Sequence, residues 1–232
     1  MTSPSREYIS AERIIGSISV QQIDLVKTKK DHQSYELFIF SLIARELNRD
    51  PNITNFQLEN LINNVFKPKL SPGNMNRIDY SYASFEYMNQ RFEIHLDTLF
   101  KQKSRTYHEL DIAIIPDASF SADFICCAIE CKNYVTLPFS FGREFIGLLD
   151  DFYKTHTKHA NFLRSDFLVT SGSPSPNGFT KFQSYFTART KSIKINSKNR
   201  SYRTTYLFDN TNASTYGNFV NKFISDFKIH MN

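Results

Sequence analysis

The chain has 232 residues, 41% of them apolar, and it contains 22 Phe and 12 Tyr. It is therefore long and hydrophobic enough for a substantial buried core, and a largely disordered chain is excluded. The formal net charge of +5 favours a polyanionic partner only weakly, because many basic proteins bind no nucleic acid.

The elements of the first half follow from hydrophobic periodicity. Apolar residues at helical spacing indicate helices, and strict alternation of apolar and polar residues indicates a strand. The predicted elements are a polar tail at 1–10, an arm or extra helix at 11–27, helices at 33–48 and 54–66, a loop at 67–77 and a strand at 91–100.

The second half alternates strands and helices. The predicted elements are a polar turn at 102–107, strands at 109–115 and 124–132, a helix at 141–157, a strand at 162–170, a loop at 171–178, a helix at 179–188, strands near 192–196 and 203–208, and a helix at 215–229. This order is typical of an α/β fold with a mixed central sheet. Because no clear linker or internal repeat interrupts it, we expect an N-terminal arm, 1–32, followed by a single domain, 33–232.

The cysteines and the apolar runs bear on the compartment. Cys126, Cys127 and Cys131 lie within six residues, and neighbours on a strand point to opposite faces, so we interpret them as small core residues in a reducing compartment. No apolar signal-peptide segment follows Met1, and the longest apolar run, near 38–44, is far shorter than the ~20 residues of a membrane span. We therefore expect a cytoplasmic protein.

The strands at 109–115 and 124–132 carry charge although both are strongly apolar. Asp111 interrupts the first, and Glu130 and Lys132, two residues apart and hence on one face, end the second. Buried charges must be paired or hold a metal. Two carboxylates for a divalent cation, with a lysine beside them, suit hydrolysis of a phosphodiester. A purely structural buried ion pair of Lys132 with Asp111 or Glu130 is the alternative that the residues leave open.

In this context, residues 92–172 resemble the core of the PD-(D/E)XK phosphodiesterase superfamily, most closely its Mrr-like and Holliday-junction-resolvase-like branches. The resemblance rests on His108-Glu109-Leu110-Asp111, Ile129-Glu130-Cys131-Lys132, Gly142-Arg143-Glu144 and the strand that runs into Leu168-Val169-Thr170-Ser171-Gly172. No proline precedes Asp111, at a position that varies widely in the superfamily. The resemblance implies a restriction-endonuclease-like, three-layer α/β/α core with a mixed central sheet and an N-terminal helical extension.

The resemblance also implies roles for individual residues. Asp111 and Glu130, with the backbone carbonyl of Cys131, would bind Mg²⁺, for which Mn²⁺ is expected to substitute. Lys132 would orient or activate a metal-bound water and stabilise charge on the phosphorus. Glu36, on the helix predicted at 33–48, is the candidate for the acid that often completes the site in this superfamily. The alternative for Glu36 is an ordinary first-turn glutamate that complements the helix dipole.

Three further residues have expected roles. Glu109, on the same face as Asp111, would touch a second metal or a water, or else satisfy a basic side chain. His108 is expected to be a structural or rim residue. Arg143, where the helix after the catalytic strand begins, would reach a phosphate or be a plain surface arginine.

A basic segment at 167–208 contains no Asp or Glu and interleaves cations with aromatic residues. Such a pattern suits neutralisation of phosphates and stacking of bases, and a solvated basic face is the alternative. The candidate nucleic-acid-binding residues are Arg143, Lys181, Arg189, Lys191, Lys194, Lys198, Arg200 and Arg203.

Together, these features predict a Mg²⁺-dependent DNA endonuclease acting in restriction, repair or defence against foreign DNA. Duplex or branched DNA is the expected substrate. The resemblance also allows a homodimer, since two sites are needed to cut both strands. The alternative is a catalytically silent nucleic-acid-binding or regulatory protein on the same fold. A structural protein with a buried salt bridge and no ligand is the third hypothesis.

Overall fold

The computed structural model forms two compact units, which are described separately. The first comprises Met1–Phe100 and Glu109–Phe120, and the second comprises Lys101–His108 and Ser121–Asn232. The structure describes residues 6–19, 22–23, 31–101, 106–117, 125–134, 136–153, 164–171, 176–189, 191–195, 198–209 and 220–225. Whether the chain divides instead into an arm, 1–32, and a single domain, 33–232, stays a prediction.

Among its described residues, the first unit contains two helices, four neighbouring strands of one sheet and a separate two-stranded sheet. Its elements are α1 (Arg6–Ser19), β1 (Gln22–Ile23), α2 (Asp31–Arg49), β2 (Thr54–Glu59), β3 (Val65–Phe66), β4 (Tyr82–Tyr87), and most of β5 (Gln90–Lys101) and β6 (Tyr107–Pro116). The strand order is β2-β4-β5-β6, in which β4 is antiparallel to both β2 and β5. The short strands β1 and β3 pair in parallel.

Helix α2 lies at the centre of this unit. Its apolar residues, spaced for a helix, are buried nearly all round, and α1 packs against it. Phe40 of α2 contacts Phe66 of β3, with ring centroids 5.5 Å apart. A helix that is apolar on most sides is stable only inside a core, so the position of α2 follows from its sequence.

The second unit combines parallel strands with three described helical segments. Its elements are β7 (Cys127–Lys132), α3 (Phe139–Tyr153), β8 (Arg164–Thr170), α4 (Pro176–Arg189), β9 (Lys191–Ile195) and β10 (Lys198–Asp209), and residues 220–225 are also helical. Strands β7 and β10 lie parallel to β8 on either side, and β9 pairs antiparallel with β10. The fully buried carboxylate of Asp166 accepts a hydrogen bond from the Ala128 amide at 2.8 Å, which fixes β8 against β7.

The structure confirms the α/β class and most predicted elements. The helix at 33–48, the loop at 67–77 and the strand at 91–100 correspond to α2, an irregular segment and β5. In the second unit, the predicted helices at 141–157 and 179–188 correspond to α3 and α4. Residues 154–157 of the helix predicted at 141–157, and residues 215–219 and 226–229 of the helix predicted at 215–229, lie outside the described residues.

The predicted helix at 54–66 is wrong. This stretch forms β2 and β3, joined by a short irregular connection. Its apolar residues fit a helical period, but Asn55, Asn60, Asn63 and Asn64 all have a positive φ, between 51° and 60°. Asparagine adopts this left-handed conformation more readily than most residues, and each such residue interrupts an α-helix. The left-handed asparagines therefore determine the conformation of this stretch, although its apolar residues have helical spacing.

Two boundary predictions are also wrong. The polar tail predicted at 1–10 is helical from Arg6, and α4 begins at Pro176, inside the loop predicted at 171–178. Proline suits the first turn of a helix because its missing N–H needs no partner there and its φ is already helical. Among the described residues, no helix is both long and apolar enough to cross a membrane.

The contact between α3 and α4 gives a stability prediction. A Cβ added at Gly142 would lie 2.4 Å from Cε1 of Phe182, a fully buried ring, whereas a Cβ at Gly147 would meet nothing within 4 Å. We expect Gly142→Ala to lower the free energy of unfolding by about 1–3 kcal/mol through overpacking. The matched Gly147→Ala should raise it by about 0.5–1 kcal/mol through helix propensity. Urea unfolding measures both, and equal effects would contradict this account of the packing.

Candidate metal centre

The polar face of β5 is buried as completely as its apolar face. Glu93, His95 and Asp97 alternate along the strand, and they are 0%, 5% and 3% exposed. Alternation of this kind usually marks a strand with one face in water. Here the carboxylates have lost their hydration, so each requires compensating positive charge or hydrogen bonds.

Glu93 obtains this compensation from protein side chains. Arg77 donates to its Oε2 from Nε at 3.0 Å and from Nη2 at 2.8 Å, and Nε2 of His95 lies 2.8 Å from the same oxygen. Burial alone would raise the pKa of Glu93, but hydrogen bonds and charges from His95 and Arg77 outweigh it and hold that pKa below its ordinary value. Burial lowers the pKa of His95, whose ring stacks on Tyr82 at 4.8 Å. Glu93 is therefore a structural carboxylate.

Asp97 instead joins two other carboxylates. One oxygen each from Glu36, Asp97 and Asp111 lie within 4.8 Å of one another, and the three residues are 6%, 3% and 7% exposed. We call these three residues the acidic cluster. Carboxylate oxygens are the ligands that hard divalent cations prefer. The acidic cluster could thus hold a metal ion.

Three elements of the first unit supply the acidic cluster. Glu36 comes from α2, which begins at Asp31, so Glu36 lies beyond the first turn of the helix. The helix dipole acts most strongly within that first turn. Asp111 comes from β6, between the fully buried Leu110 and Ile112. Asp97 comes from β5 and has a φ of 45°, in the left-handed region. An aspartate in this conformation within a strand is a local strain of the kind found at functional sites.

Lys69, from the loop at 67–77, lies close to the acidic cluster. It is 6% exposed, and burial lowers its pKa, although the charges of Asp97 and Glu109 oppose that shift. Glu109 is half-buried, and both roles predicted for it, contact with a second metal or a water and satisfaction of a basic side chain, stay predictions.

Glu130 and Lys132 lie on β7 in the second unit and pair with each other. Lys132 Nζ is 2.5 Å from Glu130 Oε1 and also lies 5.6 Å from the ring centroid of Phe141. Burial raises the pKa of Glu130, and the charge of Glu144 adds to this while Lys132 opposes it. Within the described residues, Glu130 Oε2 has no hydrogen-bond partner. Of the two partners that the sequence leaves open for Lys132, the structure pairs it with Glu130.

The four residues predicted to be catalytic are thus found as two groups. Glu36 and Asp111 meet in the first unit together with Asp97, and Glu130 and Lys132 pair in the second. Their union around one metal, with the Cys131 carbonyl as a further ligand, stays a prediction. Sequence reasoning missed Asp97, because its alternation with Glu93 and His95 along the predicted strand does not show whether that face is buried.

The structure describes the side chains of some of the remaining candidates. Arg143 on α3 and Lys181 on α4 are exposed, and His108 Nε2 lies 3.5 Å from Thr106 Oγ1. All three cysteines are buried, as expected of core residues. For the other predicted nucleic-acid-binding residues, the structure describes the backbone alone. These residues are Arg189 at the end of α4, Lys191 and Lys194 on β9, and Lys198, Arg200 and Arg203 on β10.

Comparisons of the chain with protein-family models, with curated proteins and with solved structures found no match. The functional argument therefore rests on the residues and their geometry.

The ion pair of Glu93 with Arg77 gives a pH-dependent prediction. Glu93→Gln should lower the free energy of unfolding at pH 7 by about 1–3 kcal/mol, because it removes a charge that Arg77 and His95 face. Since the folded-state pKa of Glu93 is lowered, its carboxylate stabilises the fold fully above the unfolded pKa and loses this effect as the pH falls through the folded one. The difference between wild type and variant should thus shrink in acid.

Urea unfolding over a pH series measures that difference. Glu86→Gln is the matched control, because it removes a carboxylate from the neighbouring strand that is hydrogen-bonded to the neutral amide of Asn55 at 2.7 Å. A Glu93→Gln effect that stays constant from neutral to acidic pH would contradict the assigned role.

The acidic cluster predicts stabilisation by metal. Saturating Mn²⁺ or Mg²⁺ should raise the melting temperature of the wild type by roughly 5 °C, through preferential binding to the folded state. Asp97→Asn should lose this increment, because asparagine tolerates the left-handed φ but supplies no charge. Differential scanning calorimetry measures the melting temperature with and without metal. The control is Asp79→Asn, which changes an exposed aspartate that is hydrogen-bonded to Asn76. Equal increments in the two variants would exclude the acidic cluster as the metal site.

Proposed function

We propose that this protein is a Mg²⁺-dependent DNA endonuclease with a restriction-endonuclease-like fold, acting in restriction, repair or defence against foreign DNA. The observation that carries the proposal is the acidic cluster. It unites Glu36 and Asp111, the two first-unit residues that the superfamily resemblance assigns to catalysis, with the further carboxylate of Asp97.

The residues of the acidic cluster fit Mg²⁺ in chemical type. All three offer oxygen, and Mg²⁺ is usually bound by one or two carboxylates while it keeps several waters. When bound, the metal would polarise a phosphate and lower the pKa of a coordinated water. The protein's own part is to hold the carboxylates together and to exclude bulk water, which strengthens the electrostatic interactions at the site.

Lys132 is the proposed cationic partner of the reaction. Its ammonium is held by Glu130 at 2.5 Å and lies against the Phe141 ring, so its position is restricted although it is only partly buried. A positioned ammonium would orient the attacking water and stabilise negative charge that develops on the phosphate. The parallel pairing of β7 with β8, which sets Lys132 opposite Thr170, supports a fixed strand end there.

The proposed contact with DNA rests on the segment 167–208. The segment contains no acidic residue, and its strands β9 and β10 pair in a register that sets Lys191 opposite Arg203. Cations at paired positions suit neutralisation of a phosphate chain. Arg143 and Lys181 on the two helices add exposed positive charge to the same unit.

The burial of the acidic cluster favours a second candidate, a catalytically silent nucleic-acid-binding or regulatory protein in which the metal is structural. None of the three carboxylate residues is more than 7% exposed. A metal held this deeply would stabilise the fold whether or not a substrate can reach it.

A cleavage assay on plasmid and single-stranded DNA with Mg²⁺ or Mn²⁺ separates the candidates. Asp111→Asn, Glu130→Ala and Lys132→Ala should each reduce the rate by about 10²–10³-fold or more, as expected for removal of a group that stabilises the transition state. Glu86→Gln, which changes a residue outside the proposed site, should cleave DNA at the wild-type rate.

Metal-dependent cutting that the three substitutions abolish supports the nuclease and its site. If wild type binds metal and DNA but cuts neither substrate, the silent binding protein is favoured. If it binds no DNA, the basic segment is a solvated face and the proposal fails.

A further inference from the structure

The loop at 67–77 is attached to both elements that carry the acidic cluster's Glu36 and Asp97. Gln33, one turn before Glu36 on α2, donates from Nε2 to the carbonyl oxygen of Leu70. At the other side, the amide of Leu99 donates to the carbonyl oxygen of Gly73 at 3.0 Å, and Gly73 forms a parallel bridge with Thr98. The loop thus spans α2 and β5.

Lys69 is the buried centre of this attachment. Its Nζ donates to the backbone carbonyl oxygens of Ser71 at 2.9 Å and Gly73 at 3.0 Å, and also to that of Asp97. An ammonium has three donors, so these three carbonyls satisfy all of them. Two acceptors belong to the loop and the third to β5, so one side chain fixes the loop to the strand.

The third acceptor lies on the residue whose backbone is strained. Asp97 has a φ of 45°, and a non-glycine residue keeps such a conformation only where its surroundings hold it. Lys69 binds the carbonyl of Asp97, while the carboxylate of the same residue lies in the acidic cluster. The orientation of that peptide and the direction of that side chain are therefore coupled.

We propose that Lys69 is a positioning residue for the metal centre. It holds the backbone of Asp97 in the left-handed conformation, so that the Asp97 carboxylate meets those of Glu36 and Asp111. It is not a ligand, because an ammonium offers no lone pair. This inference rests on the metal-binding part of the proposed function and does not require that the protein cuts DNA.

Loss of the Lys69 charge has two effects of opposite sign on metal affinity. Removal of a positive charge near a cation site strengthens cation binding by simple electrostatics. Loss of the contact that orients Asp97 weakens it, since removal of a partner that orients a metal ligand typically costs about 10–100-fold in affinity. The sign of the change therefore separates a positioning residue from a nearby charge.

The experiment measures Mn²⁺ dissociation constants for the full chain, from the electron paramagnetic resonance signal of free Mn²⁺. Lys69→Met is compared with Lys67→Met, a matched variant that removes the same charge two residues away, where Nζ lies 5.3 Å from the Tyr80 ring centroid. Thermal unfolding without metal confirms that each variant folds. If Lys69→Met does not fold, Lys69→Gln takes its place, and its Mn²⁺ affinity is interpreted in the same way.

We expect Lys69→Met to weaken Mn²⁺ binding about 10–100-fold, and Lys67→Met to stay within about twofold of wild type or to bind slightly more tightly. Unchanged or tighter binding in Lys69→Met, with a lowered melting temperature, would make Lys69 merely structural and overturn the inference. Wild type that binds no Mn²⁺ would overturn it together with the metal centre. Wild type that binds Mn²⁺ but cuts no DNA would refute the nuclease alone.

Discussion

The burial of carboxylates in an apolar environment is the constraint on which the first unit depends. Strand β5 buries both of its faces, and one of them carries Glu93, His95 and Asp97. A carboxylate removed from water destabilises the fold by several kcal/mol unless positive charge or hydrogen bonds compensate. The same strand meets this requirement with two different arrangements, four residues apart.

The two arrangements differ in the side chains that surround the carboxylate. At Glu93 the compensating charge is the guanidinium of Arg77, assisted by His95, and this charge is permanent. At Asp97 the neighbours include two more carboxylates, and the one positive charge described beside them is the Lys69 ammonium, which binds the Asp97 backbone carbonyl. If stability were the sole requirement, a second arginine would serve. A set of oxygen ligands is better suited to an exchangeable cation, which is why the acidic cluster, and not Glu93, indicates function.

Much of the fold was predictable because most of its helices and strands show the spacing of apolar residues that is typical of their type. The period of α2 and the charged apolar strands β6 and β7 identified the class, and the helix assigned to 54–66 failed where left-handed asparagines override periodicity. Of the acidic cluster, Glu36 and Asp111 were named in advance. Asp97 was missed because alternation looks the same whether the polar face meets water or other elements, and that difference depends on tertiary packing.

Lys69 gave no sequence signal, since a lysine in a Pro- and Gly-containing loop is normally solvated. Its role depends on which acceptors it meets. Had its ammonium paired with the Asp97 carboxylate, it would occupy the oxygen that a metal needs. By binding three backbone carbonyls instead, it places positive charge beside the acidic cluster and fixes Asp97 without competing for the ligand atoms. A lysine satisfied by carbonyls can therefore support a cation site that a lysine satisfied by carboxylates would block.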